Sequence, residues 1–193
     1  MSDVFDKEAI VDFVKSDENN LQLSLAVLSV GNEIKEYIIQ DFLQSLQVEL
    51  NKNINADWVC TIDSNPIKQT HTLLQLKHKH WKNSSIALAP DKGVVSDLWY
   101  GVLSEDGCGT SEEGLKLHQF ITSTLTKVPS IPANSWWPFS SRVNEKYRHW
   151  DALETLLYLK KDNVHALNYF SESLSELVAV VDSYLHQSLL ANQ

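Results

Sequence analysis

Aromatic and positively charged side chains are interleaved most densely between residues 127 and 150, a segment that also contains three prolines. Such a mixture can stack on nucleic acid bases and neutralise phosphates, and it also suits the centre of a protein interface. An irregular segment of this length also needs large apolar side chains to anchor it, and we favour this structural interpretation. The candidate binding residues are Trp136, Trp137, Phe139, Arg142, Lys146, Arg148 and Trp150.

A second group has the order of residue types found in metal-dependent nucleases. Asp63 is followed twelve residues later by Gln75-Leu76-Lys77. Nucleases of the PD-(D/E)XK type place an aspartate on one strand and an acid-x-lysine on the next, so that two acids hold Mg²⁺ and the lysine activates water. Here the second acid is replaced by glutamine, a neutral and weaker ligand. An ordinary strand end with a polar strand face is favoured, and a degenerate catalytic set of Asp63, Gln75 and Lys77 is the alternative.

Two histidines, His78 and His80, lie two residues apart on an expected strand and would share one of its faces. Two imidazoles on one face can ligate a transition metal, but the sequence does not position a third ligand such as His71. Lys77 and Lys79 would oppose a cation there, so a solvated strand face is favoured over a metal site. We expect no metal and no cofactor.

The two cysteines, Cys60 and Cys108, do not indicate catalysis. Cys60 alternates with Trp58 and Ile62, so we expect it to be buried, whereas Cys108 lies between two glycines and is expected to be exposed. No serine or cysteine lies in a nucleophile elbow, and the sequence contains no phosphate-binding glycine loop. These observations favour a protein that is not an enzyme.

The spacing of apolar residues predicts the elements that position these residues. Apolar residues recur at helical spacing before residue 52 and again after residue 111, whereas between residues 57 and 103 they alternate with polar residues, as in strands. Short turns between successive strands favour an antiparallel meander. We predict a single α+β domain, residues 1–193, with an antiparallel sheet of about four strands packed by N-terminal and C-terminal amphipathic helices. The helices are expected at about 2–15, 32–52, 111–125, 151–159 and 163–190, and the strands at about 58–62, 72–79, 86–89 and 98–103.

Two helix starts carry capping signals. Thr110 and Glu113 have the spacing of a capping box at the start of the helix near residue 111. Asp151 and Glu154 suggest a cap for the helix that follows the aromatic loop at 127–150. The N-terminal part (1–52), the sheet (57–103) and the C-terminal part (111–193) are expected to fold together.

Net charge is spread unevenly along the chain. The 193 residues carry 25 acids and 16 Lys and Arg, a net charge of -9. Residues 1–50 contribute -7, residues 51–100 contribute +2 and residues 101–193 contribute -4. This balance opposes a broad nucleic-acid-binding face, because phosphate binding is largely the work of cations; a small local contact is left open but not favoured. The acidic N-terminal helices suit a basic protein partner.

Composition places the chain among ordinary globular proteins, with 43% hydrophobic and 21% charged residues. Residues 1–6 carry acids where a secretory signal needs cations and then an apolar run. No apolar stretch approaches the roughly 20 residues that span a bilayer. We therefore expect a cytoplasmic protein with no membrane segment.

Three segments taken in order carry a resemblance to a known group. They are Asp57-Trp58 through Lys79-His80-Trp81-Lys82, then Ser85–Leu88 with Leu98-Trp99-Tyr100-Gly101-Val102, and finally Trp136-Trp137-Pro138-Phe139 through Tyr147-Arg148-His149-Trp150 and the last helix. Over residues 32–193 they resemble the C-terminal part of prophage- and defence-associated proteins of the PD-(D/E)XK superfamily. The metal-binding motif of that group lies in an N-terminal half that has no counterpart here. The resemblance thus implies a free-standing relative of a non-catalytic domain, carried on a mobile genetic element, and transfers no catalytic residue.

The function expected from the sequence is that of a non-enzymatic binding or accessory protein that recognises a macromolecular partner. The alternative is the degenerate metal-dependent nuclease described above. A third possibility is a homodimer that forms through the long C-terminal helix.

Overall fold

The computed structural model describes residues 6–64, 71–91 and 95–191, with side chains as far as Ser188. The helices are α1 (Lys7–Ser16), α2 (Glu18–Ser29), α3 (Gly31–Asn53), α4 (Glu112–Thr124), α5 (Leu153–Lys161) and α6 (Asn163–Ala191). The strands are β1 (Trp58–Ile62), β2 (Leu74–His78), β3 (Ser84–Pro90), β4 (Leu98–Ser104) and β5 (Phe139–Arg142), and a 3₁₀ helix (Glu145–Tyr147) follows β5.

The five strands form one antiparallel sheet in the order β1-β2-β3-β4-β5. The prediction of an α+β fold with an antiparallel meander is confirmed, but the sheet has a fifth strand within the segment expected to be irregular. That strand has four residues, Phe-Ser-Ser-Arg, and follows Pro138, so it gave too short an alternation to be recognised. The sheet therefore extends beyond residue 103, and the aromatic loop supplies part of it.

One face of the sheet is apolar and is covered by helices. The register pairs Leu76 with both Cys60 and Ile86, so these side chains share a face. On that face α3 lies against β1 and α6 lies against β3. On the opposite face Val59 and Lys77 are exposed. The helices thus cover one face, as an antiparallel sheet allows.

A cluster of aromatic rings joins α3, α6 and the segment after β5. The rings of Phe42, Trp150 and Phe170 lie 5.5–5.7 Å apart between centroids and meet edge to face. All three side chains are buried. Each such ring pair contributes roughly 0.5–1.5 kcal/mol beyond the burial of its area. This cluster fixes the C-terminal part of the chain against the helix that precedes the sheet.

Gly101 explains how β5 joins the sheet. A Cβ at this position would lie 2.1 Å from the carbonyl oxygen of Phe139 and 2.7 Å from the Cα of Ser140. Only glycine lets the backbone of β5 approach β4 so closely. The register that results pairs Trp99 with Arg142, which places one of the candidate binding residues beside a large aromatic ring.

Two capping assignments were wrong. Ser111, not Thr110, caps α4, because its hydroxyl accepts a hydrogen bond from the Gly114 N–H at 3.2 Å. The residue before α5 is Ala152, which has no side-chain acceptor, so Asp151 does not cap that helix. At α4 two neighbouring hydroxyl residues could have filled the role, and local spacing did not distinguish them; at α5 the helix begins one residue too late for Asp151 to cap it.

The two N-terminal helices do not cover the sheet as expected. α1 starts after Asp6, whose carboxylate accepts hydrogen bonds from the N–H groups of Glu8 and Ala9; the expected start at Ser2 lies outside the described residues. Neither α1 nor α2 contains a buried residue. Of the N-terminal helices, α3 alone supplies buried residues to the core.

Candidate functional site

The seven candidate binding residues of the aromatic loop are divided among four places. Phe139 and Trp150 are 0% exposed and belong to the core. The indole N–H of Trp150 donates to the carbonyl oxygen of Tyr147 at 2.8 Å, so its polar atom is satisfied internally. These two side chains anchor the loop to the core, as expected for an irregular segment of this length, and they are not available to a partner.

Trp136 and Trp137 lie at the C-terminal end of β4. The carbonyl oxygen of Trp136 accepts a hydrogen bond from the Ser104 N–H at 2.7 Å. The side chain of Asn134 accepts hydrogen bonds from the N–H groups of both tryptophans at 3.0 Å, which holds the turn. The Trp136 side chain is 55% exposed, whereas that of Trp137 is half-buried. One aromatic ring of the loop therefore faces solvent here.

Arg142 and Arg148 lie at the other end of β4. Arg142 pairs with Trp99 in the register, whereas the tryptophan pair lies beside Ser104. Five residues of strand separate Trp99 from Ser104, which is about 17 Å. The cations and the exposed tryptophan therefore do not form one continuous binding surface.

Asp97 lies between these two arginines. Its carboxylate oxygens are 3.8 Å from Arg142 Nη2 and 3.8 Å from Arg148 Nε. Its backbone has φ of 49°, a left-handed conformation that is uncommon outside glycine. The N–H of Asp97 donates to His149 Nδ1 at 3.2 Å, which holds this conformation. Aspartate is one of the residues that adopts this conformation more readily than most.

A groove of about 590 Å³ opens beside the two arginines. Its lining comes from β4, β5, α6, the segment after α4 and the segment after β5, and includes three cationic residues. The lining residues with polar side chains include Tyr100, Lys127, Ser141, Arg142, Glu145, Arg148, Tyr169 and Ser173. Burial raises the pKa of Tyr100 and of Tyr169, so both phenols stay neutral over a wide pH range.

Lys146 has a structural role in this arrangement. Its ammonium group lies 3.0 Å from the carboxylate of Asp162 and 4.4 Å from the centre of the Tyr158 ring. The hydrogen bond with Asp162 raises the pKa of Lys146. These contacts hold the 3₁₀ helix against the junction of α5 and α6, so this cation is already engaged.

The residues of the nuclease alternative are not assembled around one point. Lys77 pairs with Val59 in the register, four residues from Asp63, a distance of about 13 Å along the strand. The Lys77 ammonium lies 2.7 Å from the carboxylate of Glu105, which follows the end of β4. Gln75 pairs with Thr61, between the other two. The lysine is thus engaged at the end of β2 opposite to Asp63.

His78 is buried, contrary to the solvated strand face expected for it. Its Nδ1 accepts a hydrogen bond from the His80 N–H at 3.3 Å, and its Nε2 lies 3.9 Å from carboxylate oxygens of both Asp57 and Asp182. Burial lowers the pKa of His78, although the two carboxylates oppose this shift. His80 lies beyond the end of β2, so the two histidines do not share a strand face.

The surroundings of these histidines bear on the metal hypothesis. Within the described ranges, no group of three or more histidine, cysteine, aspartate or glutamate side chains has the arrangement of a metal site. His71 is exposed, before the start of β2. In the part of the chain that the structure describes, no third protein ligand joins His78 and His80.

The cysteines occupy the expected environments. Cys60 is buried, and burial raises its pKa to about 12. Cys108 is exposed, and the negative charge of Asp106 raises its pKa. Nucleophilic attack needs the thiolate form, which both environments disfavour. Neither thiol has the setting of a catalytic nucleophile.

The largest feature that the sequence left unassigned is an exposed apolar surface at the N-terminus. We call residues 6–37, which comprise α1, α2 and the start of α3, the N-terminal arm. Eleven large apolar side chains of this arm are exposed: Ile10, Val11, Phe13, Leu21, Leu23, Leu25, Val27, Leu28, Val30, Ile34 and Tyr37. Monomeric proteins rarely expose so many neighbouring apolar residues, which makes this surface a candidate for interaction.

A signal for this surface was present in the sequence. No charged residue occurs from Asn19 to Asn32, although six large apolar residues fall between them. A helix with apolar residues on more than one face is normally buried. The apolar residues before residue 52 were expected to pack on the sheet, but those of α2 are exposed, so for this helix the prediction was wrong.

Comparisons with known proteins do not identify a relative: no family model, no curated protein and no solved structure matches the chain. The resemblance to the PD-(D/E)XK group stays a prediction. None of the described helices is both long enough and apolar enough to cross a membrane.

Proposed function

We propose that this chain is a non-enzymatic binding protein that docks a protein partner on its N-terminal arm. The observation that carries the proposal is the exposure of apolar side chains throughout α1 and α2, neither of which contains a buried residue. The most exposed of these side chains is that of Leu28, at 76%. A binding role needs no catalytic set, only a surface that a partner can cover.

The pattern of α2 supports docking on more than one side of the helix. Leu21, Leu25 and Leu28 recur at helical spacing along one stripe. A second stripe, displaced around the helix, contains Leu23 and Val27. Complete burial of one such side chain stabilises a complex by roughly 1.5–3 kcal/mol. A partner that covers both stripes would gain enough binding free energy to offset the conformational entropy that the arm loses when it binds.

The charges of the N-terminal arm indicate which kind of partner it can bind. The arm carries seven acids and three lysines, and the acids flank the uncharged part of α2 on both sides, from Asp17-Glu18 to Glu33. A second copy of the same arm would bring these acids together, whereas a partner with cations around an apolar strip would pair with them. The proposed partner is therefore a protein segment that forms a basic amphipathic helix.

The proposal is tested with two peptides that differ only in charge. An 18-residue helical peptide of leucine and lysine and its leucine and glutamate counterpart are labelled and titrated with the full chain by fluorescence anisotropy. The basic peptide is expected to bind at least about tenfold more tightly, a difference of about 1.4 kcal/mol. Equal affinities for the two peptides, or no binding of the basic one below about 100 μM, would contradict the proposal.

Variants locate the binding surface. The double variant Leu25→Ser with Leu28→Ser is expected to weaken binding of the basic peptide at least about tenfold, because it removes two exposed apolar contacts. Val48→Ser changes an apolar residue on α3, outside the arm, that is as exposed as Leu25 (58% against 57%), and serves as the control. If the control weakens binding as much as the arm variant, docking on the arm is wrong.

A second copy of the chain is the main competing occupant. The C-terminal helix expected to mediate a homodimer buries its main apolar stripe within the protein, including Phe170, Leu174 and Val181. Among its described side chains, Val164 is the one large apolar residue that is clearly exposed. If sedimentation shows a dimer that the arm variant abolishes, a second copy occupies the arm and the proposal of a basic partner fails.

A further inference from the structure

We infer, on the basis of the basic helical partner proposed above, that this partner lies along a row of apolar residues that crosses from α2 into α3, and that its binding straightens the two helices into one. The free protein bends at Val30, the single residue between α2 and α3. A partner helix that covers both sides of this bend is best received by one straight helix.

Five exposed apolar residues of the arm follow the heptad spacing by which two helices pack together. They are Leu23, Val27, Val30, Ile34 and Tyr37, at successive intervals of four, three, four and three residues. Each side chain is at least 42% exposed. A helix with this spacing packs against a second helix, whose side chains fit between its own. We call these residues the seam; on a straight helix it would extend over about 21 Å, which the 18-residue peptide, about 27 Å long, can cover.

The seam is interrupted where α2 meets α3. Val30 has φ of -113° and ψ of 18°, whereas helical residues have values of about -63° and -42°. Its N–H donates to the carbonyl oxygen of Val27 at 3.3 Å. Within the described residues, no N–H of Gly31, Asn32 or Glu33 donates to the carbonyl oxygen four residues before it. A continuous helix would form each of these hydrogen bonds.

Gly31 is not required by the bent form. A Cβ at this position would have no atom within 4 Å, and its φ lies outside the left-handed region. Neither space nor backbone conformation therefore explains a glycine here. In a helix interior, glycine is unfavourable relative to alanine, so Gly31 opposes the straight form until a partner stabilises it.

The core holds α3 in place but does not hold α2. Ile39 and Phe42, which follow the seam on α3, are buried, whereas α2 contains no buried residue. The Asn20 side chain of α2 donates a hydrogen bond to the carbonyl oxygen of Phe13 in α1 at 3.2 Å, so α1 is tied to α2. Straightening would therefore move α1 and α2 together and leave the core intact.

Binding and straightening are coupled because only the straight form presents the whole seam to one helix. In the bent form, a straight partner helix can follow α2 or the start of α3 but not both. A ligand shifts a conformational equilibrium by the difference in its affinity for the two forms. A substitution that favours the straight form should therefore tighten binding, and one that prevents it should weaken binding.

Two substitutions of Gly31 test this coupling in opposite directions. Gly31→Pro is tolerated as the first residue of α3, but it is expected to weaken binding of the leucine and lysine peptide at least about tenfold, because proline lacks the N–H and clashes with the preceding turn of a continuous helix. Gly31→Ala favours the straight helix and is expected to tighten binding about twofold to fivefold. Fluorescence anisotropy with the full chain measures both affinities.

Lys7→Pro is the control for the effect of proline itself. Lys7 is also the first residue of a helix, and Asp6 before it is extended, with ψ of 102°, as proline favours for the preceding residue. The affinity of this variant should stay within about twofold of that of the wild type. If Lys7→Pro weakens binding as much as Gly31→Pro, or if both Gly31 variants bind like the wild type, straightening is wrong although docking on the arm stands.

Amide hydrogen exchange at Asn32 and Glu33 reports straightening without any substitution. In the free protein these two amides have no acceptor within the helix and should exchange rapidly. Saturating peptide is expected to slow both at least about tenfold, because a continuous helix gives each N–H a carbonyl acceptor. Protection of α2 without protection of Asn32 and Glu33 would overturn straightening and leave docking intact. If the wild-type chain does not bind the peptide, docking on the arm fails, and straightening fails with it.

Discussion

Individual aromatic residues of the loop between 127 and 150 differ in what they contact, although their types are similar. Trp150 is enclosed by Phe42 and Phe170, whereas Trp136 is half exposed beside the turn at Gly107. Sequence composition treats the two tryptophans alike. Because Trp150 is buried and Trp136 is largely exposed, we expect Trp150 to stabilise the fold and Trp136 to contribute little.

Truncation of the two tryptophans should separate these roles. Trp150→Ala is expected to lower the free energy of unfolding by roughly 3–5 kcal/mol, because it empties part of the core. Trp136→Ala should lower it by less than about 1 kcal/mol, because most of that ring faces solvent. Guanidinium unfolding followed by far-ultraviolet circular dichroism measures both. Similar losses for the two variants would contradict the division of the loop described here.

At the scale of elements, α6 is tied to the sheet by polar groups as well as by its apolar stripe. Asp182 of α6 accepts hydrogen bonds from the indole N–H of Trp58 at 2.8 Å and from the side chain of Asn55 at 2.7 Å. The same carboxylate and that of Asp57 face the buried His78 at the end of β2. The region where β1, β2 and α6 meet therefore contains a titratable group.

The lowered pKa of His78 predicts a pH dependence of stability. In the unfolded chain the imidazole takes up a proton near pH 6.5, whereas the folded protein resists protonation because the ring is buried. The unfolded state thus binds more protons as the pH falls, and the free energy of unfolding should decrease from pH 7 to pH 5. Equilibrium unfolding at several pH values measures this decrease.

The variant His78→Gln isolates the contribution of this residue. It should show a smaller decrease over the same pH range, because glutamine does not titrate. His186→Gln, at an exposed position of α6, should retain the full decrease. An unchanged pH dependence in His78→Gln would show that other groups cause it; Lys79 and His80 also act on Asp57 and on His78.

The long helices were predictable because periodicity over many residues reports which side is buried. α3 and α6 were expected within one or two residues of their observed bounds, since Phe42, Leu46 and Leu50 recur at helical spacing. β5 was missed because four residues cannot establish a period, and because its pairing depends on Gly101, far away in the sequence. Short elements are defined by their neighbours in space rather than by their own pattern.

The candidate groove could not have been read from the sequence. Tyr100 comes from β4, Ser141 from β5 and Tyr169 from α6, and nothing in their spacing along the chain brings them together. The two arginines were identified as candidates from the loop composition. Asp97 was not identified as a candidate. Its left-handed backbone and its position between the arginines are properties of the folded chain and cannot be read from the sequence.

The whole molecule separates into a folded part with a helix-covered sheet and an arm that exposes apolar and acidic residues. The net charge of -9 is concentrated toward the arm, where residues 1–50 contribute -7. This distribution opposes association with polyanions and favours a basic partner.

The most direct test of docking on the N-terminal arm is amide hydrogen exchange of the full chain with and without the leucine and lysine peptide. Amides in α1 and α2 are expected to exchange faster than those of α3 and α6 in the free protein, because neither helix contains a buried residue. Saturating peptide should slow exchange in α1 and α2 by at least about tenfold and leave the strands unchanged. Unchanged exchange in both helices, or protection confined to the sheet, would contradict the account.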